Sequence, residues 1–367
     1  MKQINTIYYF KKLLQLCLIY FTMFSIVFFS KEFSNGIKDG MNVSLNLVIP
    51  SLFIFMVFSN IIMNSNLKHM IAYPFRLIGK YIFKIDKQYL SIVILSLIGG
   101  YPIGAKLLCS AVKQDGMPVE TAERMLCYCV NCGPAFLISA VGLSIFGNIK
   151  IGLILYLSQI TACIIVGFLT SFFKSKSHSS VQIKNKRNNL SASVLVVNAV
   201  NDTIKSMVVI CGFIVAFSAF LPIIQLLTEN VNPNLRILLQ GFMEVTTSCN
   251  NLANTSSPSA IILAAAFTSF GGVCVYLQVC AMLNGSQIKL WKFFIFRIIY
   301  TIISVGFVKI IISFSPSVVS CISMNSQQTS KLYSVSPAAT IFMLLLSIIL
   351  LFFSRKSDKL KQDVEIK

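Results

Sequence analysis

Five polar side chains stand inside apolar stretches: Lys106, Asn131, Glu244, Gln278 and Arg297. Polar groups at membrane depth are expensive, about 2.5–3.5 kcal/mol for a lysine at the centre, so each needs a partner or a task. Three of them sit beside helix-breaking residues. Lys106 ends the run Gly99-Gly100-Tyr101-Pro102-Ile103-Gly104-Ala105-Lys106, and Gln278 follows Gly271-Gly272 at the same offset. Asn131 precedes Gly133-Pro134, while Glu244 lies in Gly241-Phe-Met-Glu-Val-Thr and is followed by Thr246, Thr247, Ser248, Asn250 and Asn251. Unwinding a helix in lipid strands its amides and carbonyls unless protein or a water-lined cavity takes them over. Free amides beside an ammonium suit an anion or an oxygen-rich solute.

Each residue has a bland reading beside the chemical one. Lys106 contacts such a solute or snorkels to the interface. Asn131 contacts it or caps the segment from Ala135. Glu244 binds a cation or proton or is a solvated acid. Arg297 meets the solute or is paired with a carboxylate, carbonyl or water. The candidate solute-binding set is Gly99, Gly100, Tyr101, Pro102, Gly104, Lys106, Asn131, Glu244, Gly271, Gly272, Gln278 and Arg297.

Cys127, Cys129 and Cys132 form C-x-C-x-x-C, but a zinc site wants a fourth ligand and the only histidines, His69 and His178, are distant in sequence. We read these cysteines as small packing residues and expect neither metal nor cofactor. There is no H-E-x-x-H, G-x-x-x-x-G-K-[ST] or G-x-S-x-G, so no catalytic residue is assigned and the chain is not expected to be an enzyme.

The elements that position these residues are membrane spans. The chain is 56% hydrophobic and 12% charged, against about 25% charged in a soluble domain. Apolar stretches long enough to cross the bilayer lie at about 13–30, 44–63, 88–112, 151–173, 207–227, 258–284, 291–314 and 337–353. The first resembles a signal peptide but lacks a small-x-small cleavage pattern, so it reads as an uncleaved span. Ile71–Phe83 reads as amphipathic, and 120–147, broken at Asn131-Cys-Gly-Pro134, as re-entrant. The expected fold is all-α, polytopic, with about eight crossings and two inverted repeats containing broken or re-entrant helices.

Three weak internal matches support the duplication: Ser51–Ser59 with Ile210–Ser218, Gly99-Gly100 with Gly271-Gly272, and Ile149–Phe168 with Ile288–Phe307. The expected division is an N-terminal span and loop at 1–43, a first repeat at 44–173, a basic linker at 174–206, a second repeat at 207–314, and a C-terminal span and basic tail at 315–367. The net charge of +19 sits in short loops, which reads as orientation rather than nucleic-acid binding. With both termini inside, 21 basic residues fall in inner loops and 7 in outer ones, Lys113 and Arg124 among the outer seven.

The ordered motifs at 99–106, Asn131–Phe136 with Gly142 and Phe146-Gly147-Asn148, 241–246 and 270–278 resemble the YlbJ family of sporulation integral membrane proteins, within the nucleoside-recognition Gate superfamily. That superfamily is similar to the membrane domains of concentrative nucleoside and ferrous-iron transporters. The resemblance implies a role in spore cortex formation in the membrane of a spore-forming bacterium. The functional expectation is a transporter or permease for an unidentified small polar solute; the alternative is a non-transporting scaffold for cortex assembly. The bilayer is the expected partner, nucleic acid is not, and homo-oligomerisation is left open.

Overall fold

The computed structural model describes residues 2–65, 67–173, 192–252 and 258–314. In chain order its α-helices are α1 (Lys2–Phe28), α2 (Ser30–Val43), α3 (Ile49–Met63), α4 (Leu67–Ala72), α5 (Arg76–Ile78), α6 (Leu90–Gly99), α7 (Tyr101–Gln114) and α8 (Val119–Leu126). They continue with α9 (Ile149–Thr170), α10 (Ala192–Ser218), α11 (Leu221–Leu227), α12 (Pro233–Met243), α13 (Val245–Leu252), α14 (Pro258–Phe270), α15 (Gly272–Met282) and α16 (Trp291–Phe314). A π-helix at Ala135–Ile145 precedes α9. The protein is an all-α, multi-pass membrane protein. Five described helical segments are long and apolar enough to cross a bilayer: Ser30–Met63, Ile149–Thr170, Ser193–Leu227, Ser259–Met282 and Trp291–Phe314. The span expected at 337–353 lies outside the described residues.

The apolar stretch at 88–112 is not a straight span, and here the sequence expectation is corrected. Gly100, at φ +90° and ψ −178°, separates α6 from α7. A Cβ placed on Gly104 would lie 3.1 Å from the Cβ of Ser96, whereas eight residues of continuous helix would separate these positions by about 12 Å. The chain therefore turns back on itself at Gly100, making a helical hairpin. This backbone conformation is essentially reserved for glycine.

The hairpin also corrects the sidedness of two charges. Lys113 donates to the carbonyl of Asn284 at 2.9 Å, Glu123 pairs with Lys292 at 3.0 Å, and Arg124 donates to the carbonyl of Lys84 at 3.1 Å. Lys113 and Arg124 thus share one side with Lys84, Lys289 and Lys292 instead of facing them across the bilayer.

Two further expectations shift. Helix α10 begins at Ala192, inside the stretch read as linker, because its polar residues are not loop residues: Thr203 accepts from Asn60 of α3 and Ser206 faces α7. The glycine pairs are also not equivalents in chain order. Between Gly100 and α9 the chain inserts a second broken element, α8 with the bend 127–134 and the π-helix; between Gly271 and α16 it inserts none. By order, Gly271 lies in the broken element next before α16, as the bend at 127–134 lies in the one next before α9. The packing differs half for half: α9 lies against the π-helix, which follows its bend, whereas α16 lies against α14, which precedes Gly271, and α9 and α16 pack on each other.

Candidate functional site

The break at Gly271 is the one expected from the sequence. Gly271 takes φ +85°, ending α14 and starting α15. This leaves the last carbonyls of α14 without helical partners. Arg297 of α16 supplies one: its Nε donates to the carbonyl of Phe270 at 3.0 Å, and its Nη1 donates to the carbonyl of Val130 in the 127–134 bend. One guanidinium therefore ties together two breaks that are 140 residues apart in the chain. It is 2% exposed, and its Cζ lies 5.7 Å from the ring centres of Tyr101 and Phe293 and 5.0 Å from that of Tyr300. Carbonyl dipoles and aromatic faces hold this cation where, among the described residues, no carboxylate pairs with it.

Around this clasp runs a buried polar network. Asn131 is fully buried; its amide donates to the carbonyl of Tyr128 at 2.9 Å and to Ser96 Oγ at 3.3 Å. The hydroxyl of Tyr300, one helical turn beyond Arg297, is 2.8 Å from Asn131 Oδ1 and 2.7 Å from the carbonyl of Gln159. Gln159 Nε2 donates to Ser269 Oγ at 2.9 Å, and the Tyr101 hydroxyl donates to the carbonyl of Thr268. Every group here replaces a hydrogen bond that lipid cannot offer. Sequence reasoning missed Tyr300 and Gln159. The available signal was Gln159 as an isolated amide in an apolar helix and Tyr300 at i+3 from Arg297 on the same face.

Beside the network lies a narrow, mostly apolar cleft of about 30 Å³. The hairpin tip contributes Gly100, Tyr101 and Pro102, the bend contributes Cys132 and Gly133, and α13 contributes Val245 and Thr246. Gln278 of α15 brings an amide; Leu52, Phe136 and Ile210 are among the apolar walls. Gly104 allows this convergence, because a Cβ there would sit 1.6 Å from the carbonyl oxygen of Cys129. The hairpin could not reach the bend with any larger residue.

Of the twelve candidates, Gly100, Tyr101, Pro102 and Gln278 line this cleft, and Gly99 and Gly104 support the hairpin. Asn131, Gly271 and Arg297 belong to the neighbouring clasp. Gly272 packs on the carbonyls that end α12, the nearest 2.8 Å from where its Cβ would be. Lys106 points elsewhere: its ammonium donates to the carbonyl of Asp202 and to Ser206 Oγ, both at 3.1 Å, joining α7 to α10. Glu244 is 1% exposed and turns back onto α13, accepting the backbone N–H of Thr246 at 2.8 Å on one oxygen and that of Thr247 on the other. Cys127, Cys129 and Cys132 are buried singly; among the described residues no cluster of three His, Cys, Asp or Glu could hold a metal.

Comparison with known proteins agrees with the motif resemblance. The chain is similar to the sporulation integral membrane protein YlbJ of Bacillus subtilis (strain 168), 21% identical over 314 residues that cover 75% of this chain and 76% of that protein. No family model matches the chain, and no solved structure matches it.

Proposed function

We propose that this chain, a distant relative of the sporulation integral membrane protein YlbJ, is a transporter for a small polar solute that serves spore cortex formation. The observation that carries the reading is the cleft where unwound backbone at Gly100, the bend at Gly133 and the start of α13 converge within a bilayer-spanning bundle. Irregular backbone at membrane depth is otherwise avoided, and in transporters it marks the solute site. Thr246 and Gln278 supply the side-chain hydrogen bonds, and the apolar walls exclude lipid headgroups and bulk ions. Chain order further supports two related units of opposite orientation, each with a break tied by Arg297 (127–134, Gly271).

The test is uptake. Vesicles containing the purified protein are incubated with a metabolite extract from sporulating cells, and the lumen is read by mass spectrometry. We expect enrichment of a small polar compound over empty vesicles, lost in Gln278→Leu at equal protein content. If no compound is enriched, and sporulating cells carrying Gln278→Leu form normal cortex, the scaffold reading replaces this one.

A further inference from the structure

Glu244 is the least explained group in the molecule. It is a carboxylate 1% exposed within the bundle, and among the described residues no lysine, arginine or histidine lies within ion-pair distance. Its acceptors are spent on the backbone N–H groups of Thr246 and Thr247, the first turn of the eight-residue α13. That cap is local, but its placement is not routine. Thr246, whose N–H is held by the carboxylate, also lines the cleft. A solute oxygen held at Thr246 stands beside the N–H that Glu244 occupies. Four residues beyond Glu244, the hydroxyl of Ser248 is buried without a hydrogen-bond partner among the described residues.

The charged surroundings restrict what Glu244 can take up. Two buried thiols stand near it, Cys249 on α13 and Cys274 on α15. Helix α14 and the π-helix contribute no titratable residue. On α2, Lys31, Lys38 and Asp39 are exposed and Glu32 is half-buried; Arg236 of α12 is half-buried near the start of that helix, away from Glu244. On α10, Asp202 is half-buried and Lys205 exposed. Two N–H dipoles pointing at the carboxylate oppose a metal cation at the same oxygens. A proton is compatible with them, because it occupies one oxygen and leaves the other accepting.

We infer that Glu244 is a proton-binding site coupled to the cleft: the carboxylate caps α13 when the cleft is empty, and it takes up a proton when a solute oxygen replaces it at the Thr246 N–H. The proton enters and leaves with the solute, so the carboxyl is neutral whenever it has given up the Thr246 N–H. This rests on the transport reading for its consequence, though the proton site itself can be tested without any solute.

The first measurement is infrared difference spectroscopy of the purified protein in phosphatidylethanolamine–phosphatidylglycerol vesicles, taken between mildly alkaline and mildly acidic buffer. We expect a protonated-carboxyl band that disappears in Glu244→Gln, whose amide oxygen preserves part of the cap. An unchanged band in Glu244→Gln, or no band in the wild type, overturns the proton site. Should Glu244→Gln fail to insert, Glu244→Asp is used, and an unshifted band in that variant overturns it equally. The second measurement repeats the metabolite-extract uptake with an imposed pH gradient. Entry should rise several-fold with an alkaline lumen in the wild type, and Glu244→Gln should retain entry but lose that response. Uptake that ignores the gradient overturns the coupling, whereas a complete absence of wild-type uptake removes the transport reading and leaves the infrared result to decide the proton site.

Discussion

The hairpin tip at Gly100 and the α14–α15 junction at Gly271 begin from the same sequence signal, paired glycines in an apolar stretch, and their surroundings treat them in opposite ways. At Gly271 the freed carbonyls are claimed: Arg297 takes Phe270 and Tyr101 takes Thr268. At Gly100 the nearest atoms to an added Cβ would be the backbone nitrogen of Gly133 at 3.6 Å and a Leu52 methyl at 3.7 Å, and no charged group is among them. Gly100 lines the cleft and Gly271 does not. A helix break in a membrane can thus be closed by protein or left facing an open space. Only the open kind is a candidate for binding, and the closed kind is the frame that holds it in place.

If that division is right, the frame should fail first as structure. Arg297→Met keeps an apolar side chain of similar length but strips Phe270 and Val130 of their donor. Each buried carbonyl left without its donor costs about 1–3 kcal/mol. We expect membrane abundance to collapse, or the melting temperature of the purified protein to fall steeply. Wild-type stability in Arg297→Met would mean that water or lipid serves these carbonyls equally well, and the contrast between the two breaks would disappear.

The hairpin offers the next largest effect. Gly104→Ala brings a methyl carbon into the carbonyl of Cys129, and because the obstacle is backbone the two elements must part. Overpacking of this kind costs about 1–3 kcal/mol, occasionally more. Both stability and uptake should drop together, since the cleft is built by that approach. A stable variant with normal uptake would show that α7 does not need to touch the bend.

Gly100→Ala separates the two kinds of effect. A Cβ there meets only ordinary contact distances, so the cost is that of the backbone conformation, about 1–3 kcal/mol. The hairpin is held from both sides and should still form, with its tip displaced into the cleft. Uptake should therefore fall by more than the loss of stability explains. Equal losses in both would place Gly100 with the frame.

The sequence already carried the existence of the breaks, because paired glycines, or glycine beside proline, inside apolar runs have no other cheap explanation. It also carried the bounds of the last described helix, 291–314, and the need of Arg297 for carbonyls or a carboxylate. It could not say that 88–112 turns back on itself. A kinked span and a hairpin share composition and hydropathy, and the difference rests on two dihedral angles at Gly100. Lys106 misled for a related reason: its distance along the chain from the break said nothing of its direction, which is toward Asp202 and Ser206 on α10. Tyr300 and Gln159 were hidden because their partners are 110 to 169 residues away.

The smallest expected effect is a control on glycine itself. Gly306 lies inside α16, and no atom outside its own helix would come within 4 Å of a Cβ there. It breaks nothing, approaches nothing closely and lacks positive φ. Gly306→Ala should then remove only backbone entropy from the unfolded reference, raising stability by about 0.5–1 kcal/mol with uptake unchanged. The comparison that matters is its sign: opposite to Gly100→Ala and Gly104→Ala measured in the same vesicles. If Gly306→Ala instead destabilises the protein or blocks uptake, then α16 makes a close contact through this face that the single chain does not contain. The effects at Gly100 and Gly104 could no longer be assigned to the breaks alone.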